Sequence, residues 1–178
     1  MCGIVSYIGN QDPVPILIKG LKRLEYRGYD SAGLALLDGS SLSSIKKAGK
    51  VSELSDQISS NPIKGNCGIA HTRWATHGIP NDVNAHPHLD KTGKIALVHN
   101  GIIENYDAIK KTLESRGVVF KSETDSEVLV QLISELYYNS DGKLDFKDSV
   151  KAALQEVVGA YGIVAMCSDE PNTLVAAR

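Results

Sequence analysis

The sequence predicts a single globular domain of mixed α and β structure. Three observations predict it. The 178 residues fit one hydrophobic core, and they contain no internal repeat, low-complexity tract or convincing linker. Short, partly β-branched apolar runs alternate with longer stretches whose apolar residues recur at helical spacing. Clusters of Gly, Pro, Asn, Asp and Ser separate many of these segments. The sum is about five strands or more and about four helices.

Gly3 to Gly9 reads as a buried strand that begins almost at the first residue, although chain ends normally fray, so something is expected to fix this terminus. Pro13 and Pro15 are tolerated at a helix start, and Leu17, Leu21 and Leu24 continue the helix until Arg27-Gly28-Tyr29-Asp30-Ser31 breaks it. Gly33–Leu37 and Ser44–Lys47 flank Asp38-Gly39-Ser40-Ser41, the composition of a hairpin turn. Val51, Leu54 and Ile58 mark a short amphipathic helix, and Cys67–Ala70 a further strand. His71 to Lys94 shows neither period and reads as a long polar loop, the kind of segment that carries function.

Lys94–Val98 reads as a strand that delivers His99-Asn100-Gly101 at its end. Tyr106, Ile109 and Leu113 form a helix stopped by Arg116-Gly117, and Val118–Phe120 reads as another short strand. Thr124-Asp125-Ser126-Glu127 has capping-box spacing and opens a helix whose buried face is Val128, Leu129, Leu132, Ile133 and Leu136. Phe146, Val150, Ala153, Leu154 and Val157 suggest one more helix, followed by strands at Tyr161–Cys167 and Thr173–Ala177. The last segment stops while still reading as a strand, so the sequence is expected to be a piece of something longer.

A net charge of -2, with 42% hydrophobic and 22% charged residues, gives no electrostatic reason to expect nucleic acid or a membrane surface. Three cysteines at unrelated spacings suggest neither a disulfide framework nor a zinc ribbon, and a reducing cytoplasm is the natural expectation. No signal-peptide core and no apolar run of about 20 residues is present.

Cys2 is the first chemical candidate. Loss of Met1 would leave a thiol and an α-amine on one residue, and an amine of pKa about 7.7 to 8.0 can accept and return the thiol's proton. The alternative is a small buried cysteine that happens to follow Met1. Arg73, within His71 to Gly78, suits a carboxylate because its planar fork binds both oxygens; standing alone, it would more often be a solvated loop arginine. Trp74, the one tryptophan, could be a core indole. Asn100-Gly101 could aim an amide and an unhindered backbone N–H at a developing oxyanion, or be a common turn. Asp125, at a helix start, could bind an ammonium or cap the helix. Five histidines invite a metal, yet neither H-E-x-x-H nor C-x-x-C supports one.

Taken together, Met1 to Val5, Tyr26 to Gly33, His71 to Gly78, Asn84 to His88, His99 to Tyr106 and Ser122 to Asp125 closely resemble class II glutamine amidotransferases. More narrowly, they resemble those that pass ammonia to fructose 6-phosphate. Relatives in purine and asparagine synthesis share the initial cysteine and the Asn-Gly pair but generally lack this tryptophan- and histidine-containing loop.

The resemblance implies an α+β fold, a four-layer αββα sandwich of the N-terminal-nucleophile hydrolase type. Residues 1–178 would form one C-terminally truncated glutaminase domain acting on L-glutamine, with no cofactor and no metal. Cys2 becomes the nucleophile, while Asn100 and the Gly101 backbone form the oxyanion hole. Arg73 binds the α-carboxylate and Asp125 the α-ammonium. Thr76 and His77 line the pocket, Trp74 rides a closing loop, and Arg27 and His86 play supporting parts. Sugar-phosphate isomerase domains in the longer enzyme would receive the ammonia, and a homodimer, if one forms, would be made through them. The rivals are a class II amidotransferase with another acceptor and an inert glutamine-binding remnant.

Overall fold

The computed structural model describes residues 2–75 and 78–178. Its framework is two four-stranded antiparallel sheets laid face to face with helices on both outer sides. The first sheet has the order β1 (Gly3–Ile8), β4 (Cys67–Arg73), β2 (Ser31–Asp38) and β3 (Ser41–Ala48). The second runs β5 (His88–Leu89), β6 (Ile95–Ile103), β7 (Gly159–Cys167) and β8 (Leu174–Ala177).

Successive side chains on a strand point to opposite faces, and here both faces are buried. On β2, Ala35 and Leu37 face the other sheet and join Ile69, Ala96, Val98, Val164 and Met166 between the layers. Leu34 and Leu36 face outward and pack with Leu17, Leu21, Val51 and Leu54 from α1 (Pro13–Leu24) and α2 (Val51–Ser60). The second sheet repeats the device: Ile95, Leu97, Ile163 and Ala165 point outward onto Leu129, Ile133, Phe146 and Val150. Those four belong to α4 (Asp125–Tyr138) and α5 (Phe146–Glu156). Helix α3 (Tyr106–Ser115) is tied to α4 through Leu113 and Val128. The layers are therefore helix, sheet, sheet, helix.

Local chemistry explains the ends. Asp12 accepts a hydrogen bond from Val14 N at 3.0 Å and opens α1, with proline in the first turn. Gly117, at φ 84, provides the left-handed exit from α3. Thr124 caps α4 by accepting from Glu127 N. The capping box is only half formed, because the Glu127 carboxylate turns away to Lys121 N, Ser122 N and the Ser122 hydroxyl.

The structure corrects several expectations. Among the described residues there are eight strands, within the expected five or more, and five α-helices, one more than the approximate four. Strand β4 runs on through His71-Thr72-Arg73, and His88–Leu89 pairs as a short strand, so the expected loop is narrower than 71–94. Asn100-Gly101 lies inside β6 rather than at its end. Val118–Phe120 is not a strand; Val118 instead packs on Leu113 and Val128. Among the described residues no helix is long and apolar enough to cross a membrane.

Gly33 is where the first sheet meets the segment before β5. A Cβ there would lie 2.2 Å from the His86 carbonyl oxygen and 3.0 Å from that of Ile45, both backbone atoms that cannot swing aside. Gly33→Ala is expected to lower the unfolding free energy by about 2–3 kcal/mol in urea titrations. A change under about 0.5 kcal/mol would mean that the 84–88 segment is not seated against β2.

Candidate active site

Cys2 immediately precedes β1, and β1 pairs with β4 in the register Gly3↔Thr72. That pairing carries the thiol to the end of β4. Gly3 N donates to the Thr72 hydroxyl at 3.1 Å, and Trp74 N donates to Cys2 Sγ at 3.1 Å. The thiol lies 3.6 Å from the Trp74 carbonyl oxygen. The sulfur is thus held by backbone while remaining partly open to a cavity of about 880 Å³.

The opposite wall comes from the second sheet. Asn100 Nδ2 donates to the Cys2 carbonyl oxygen at 3.4 Å. Gly101 beside it has φ 138, and a Cβ there would lie 2.0 Å from the Ala160 carbonyl oxygen of β7, so both backbone shape and strand proximity demand glycine.

Two buried charges of opposite sign border the same cavity. Arg73 is 3% exposed and Asp125 4%. Arg73 donates from Nη2 to the Gly78 carbonyl at 3.1 Å and from Nη1 to that of Ile79 at 3.5 Å, with Asp30 Oδ1 3.7 Å from Nη1. The other Asp30 oxygen accepts from Ala75 N, so one carboxylate steadies both the guanidinium and the chain leaving β4. Asp125 Oδ2 accepts from Ile103 N at 2.9 Å, and its Oδ1 lies 3.4 Å from the Ser126 hydroxyl and 4.0 Å from His99 Nδ1. Ser126 Oγ is also within 2.8 Å of His86 Nε2 and 2.9 Å of His99 Nδ1.

Behind this wall, His71, His86 and His88 pack ring on ring, with centroids 4.2 Å and 4.7 Å apart. Burial is the main reason that the His71 pKa falls to about 4 and those of His86 and His88 fall well below the ordinary value. All three are neutral in the fold at pH 7. Burial also pushes the Cys67 thiol up to about 11 and raises that of Cys167, which makes both poor nucleophiles.

Residues 71–178 match the family described as glutamine amidotransferase domain. The chain belongs to that family. All of it aligns, at 56% identity over 179 residues, with 29% of a glutamine--fructose-6-phosphate aminotransferase (isomerizing) from Bacteroides thetaiotaomicron. At 55% over 181 residues it aligns with 29% of the same-named protein of Chlorobaculum tepidum. The chain therefore spans under a third of these relatives' length. Among solved structures it superposes on the Bacillus subtilis glutamine phosphoribosylpyrophosphate amidotransferase with TM-score 0.76 and 30% identity, over 94% of this chain and 35% of that one. A second structure, an allosteric regulatory enzyme of purine biosynthesis, gives TM-score 0.81 and 30% identity over 99% and 37%. The αββα sandwich of the N-terminal-nucleophile type is the fold of this class II amidotransferase domain.

Of the residues expected at an amidotransferase site, Cys2, Arg27, Arg73, Trp74, His86, Asn100, Gly101 and Asp125 all border the cavity. Thr76 and His77 lie outside the described residues. Trp74 is 54% exposed rather than a core indole, and it rests on Gly28, where a Cβ would meet the ring at 2.7 Å. Sequence reasoning missed Asp30, Ser126, Tyr161 and the inward use of His71 and His99. Asp30 and His71 sat in recognisable motifs; Tyr161 reaches the cavity only through the β6–β7 pairing.

The neutral histidines make acid stability predictable. Unfolded histidine titrates near pH 6.5, above the folded values, so the unfolded chain binds more protons below that pH. Their contribution is intact above about pH 6.5 and is lost as pH falls toward about 4, where His71 itself titrates. Urea titrations between pH 7 and pH 5 are expected to show stability falling by up to about 1.4 kcal/mol per pH unit for each histidine. A flat profile would mean that these rings carry charge in the fold.

Proposed function

We propose that this domain hydrolyses L-glutamine to glutamate and ammonia through a thioester on Cys2. One observation carries the reading: a partly open thiol shares a cavity with a side-chain amide donor and with buried charges of both signs. An amino acid is a zwitterion, so Arg73 takes the α-carboxylate and Asp125 the α-ammonium, leaving the side-chain amide to reach the sulfur. This charge matching supplies specificity and places the carbonyl for attack.

In this reading Met1 is removed and the freed α-amine of Cys2 takes the thiol proton. The thiolate attacks the amide carbon, and the oxygen, now negative, receives hydrogen bonds from Asn100 Nδ2 and the Gly101 N–H. The tetrahedral adduct collapses as the C–N bond breaks and the ammonium returns its proton to the leaving ammonia. Water, deprotonated by the same amine, then splits the thioester and releases glutamate. Arg27 and His86 border the pocket in supporting roles, and Trp74 stands at its mouth.

The named relatives support a wider reading. Residues 1–178 are the glutaminase portion of a longer cytoplasmic enzyme whose sugar-phosphate isomerase domains take the ammonia to fructose 6-phosphate, forming glucosamine 6-phosphate. Detection of that product from glutamine and fructose 6-phosphate with the longer protein tests this step, and another amine product would point to a different acceptor.

Intact mass and peptide mapping after exposure to a glutamine-mimicking electrophile test the nucleophile. A single adduct on Cys2, suppressed by excess glutamine, is expected; labelling spread over Cys67 and Cys167 without protection would sink the assignment. Arg73→Ala is expected to raise KM for glutamine roughly 10- to 100-fold, since a charge-assisted hydrogen bond is worth about 1.5–3 kcal/mol. An unchanged KM would remove Arg73 from the carboxylate site.

A further inference from the structure

Asn100 can serve an oxyanion only if its amide is turned with nitrogen toward Cys2 and oxygen away. Nothing in the dipeptide Asn100-Gly101 sets that choice, because a primary amide presents nearly the same shape either way round. The choice is made from the other sheet. His71 Nε2, on β4, lies 3.1 Å from the His99 carbonyl oxygen and 2.7 Å from Asn100 Oδ1, both on β6. A backbone carbonyl only accepts, so Nε2 carries the proton. The Asn100 atom facing that N–H is therefore its oxygen, and Nδ2 is left on the Cys2 side, 3.4 Å from the Cys2 carbonyl.

The rest of the ring agrees. His71 Nδ1 is buried and has no hydrogen-bond partner among the described residues, which suits a bare ring nitrogen and penalises a proton there. His71 sits mid-strand, paired with Ile4 on one side and Gly33 on the other, and its ring stacks on His86. Neither backbone nor ring is free to turn.

We infer that His71 is a positioning residue for glutamine hydrolysis: by donating from Nε2 across the two sheets to Asn100 Oδ1, it fixes the amide so that Nδ2 faces the reacting carbonyl. The donated proton also polarises the amide and makes its N–H groups better donors to a developing negative charge. The role rests on the hydrolytic reading above and adds to it the element that sets the donor's direction.

His71→Phe keeps a ring against His86 and removes the donor; His71→Gln offers an amide N–H near the position of Nε2. Rates of glutamate release are measured for the parent chain, both variants, Asn100→Ala and the double variant His71→Phe/Asn100→Ala. His71→Phe is expected to lower kcat roughly 10- to 100-fold, below the loss from deleting an oxyanion donor outright, with KM changed less than about 3-fold. His71→Gln is expected to recover much of that loss. In the Asn100→Ala background the same Phe substitution is expected to cost little more, because its target is gone. Equal losses in both backgrounds, or a rise in KM alone, would overturn the role.

A second measurement stands if the Phe variant fails to fold: nitrogen NMR of the parent's imidazoles should place the His71 proton on Nε2, and a proton on Nδ1 alone overturns the inference. A parent chain that neither releases glutamate nor takes up a glutamine-protected adduct on Cys2 overturns the hydrolytic reading itself. An active parent with additive losses overturns only the part assigned to His71.

Discussion

The pairing of β1 with β4 is the interaction on which the rest of the molecule depends. Six residues, from Gly3↔Thr72 to Ile8↔Cys67, bond the start of the chain to a strand that is itself bonded to β2 on its far side. A terminus that would otherwise fray becomes the edge of a sheet. Gly3 is part of the reason it fits, since a Cβ there would lie 2.6 Å from Leu24 of α1. Once that register is set, Cys2 has no choice but to sit beside Trp74, at the end of the strand that also carries Arg73.

The two sheets enclose different chemistry along their length. Toward Leu37, Cys67 and Met166 the space between them is apolar and close-packed. Toward His71, His99 and Asn100 it is polar, and much of the hydrogen bonding joins one sheet to the other or to the first turn of α4. Burial of polar groups is costly unless they are paired. Here the Ser126 hydroxyl and Asp125 are each contacted by more than one neighbour, so a change at one position disturbs several others.

Much of this was legible in the sequence, and the failures have physical causes. Helices α1, α2, α4 and α5 announce themselves by apolar residues at helical spacing, and the β2–β3 hairpin by Asp38-Gly39-Ser40-Ser41. The apolar pattern misled where a strand keeps its backbone ladder while its side chains turn polar. That is why β4 extends through His71-Thr72-Arg73 and β6 through Asn100-Gly101. Val118–Phe120 failed the other way: it has β-prone residues but no neighbouring strand, and Val118 finds its burial against helices instead. Most residues bordering the cavity were readable from motifs; Asp30 and Ser126 also sat inside motif segments, but their parts as partners of Ala75 and His86 rest on contacts 45 and 40 residues away in the chain. Such distances leave no local mark.

The separation between β1 and β4 also sets an order in time. The β2–β3 hairpin can form from adjacent residues, whereas β1 must wait for a partner whose last residue is Arg73. At a synthesis rate of about 5–20 residues per second, roughly 4–14 seconds separate the making of residue 2 from the making of residue 73. During that interval Cys2 lacks the neighbour that later holds its sulfur, the backbone N–H of Trp74. After it, Cys2 stands immediately before the edge strand β1 with its sulfur held by Trp74 N. The fold thus places a clock on the assembly of the thiol's surroundings, and sequence changes that hasten β1 docking would shorten the time in which Cys2 is without them.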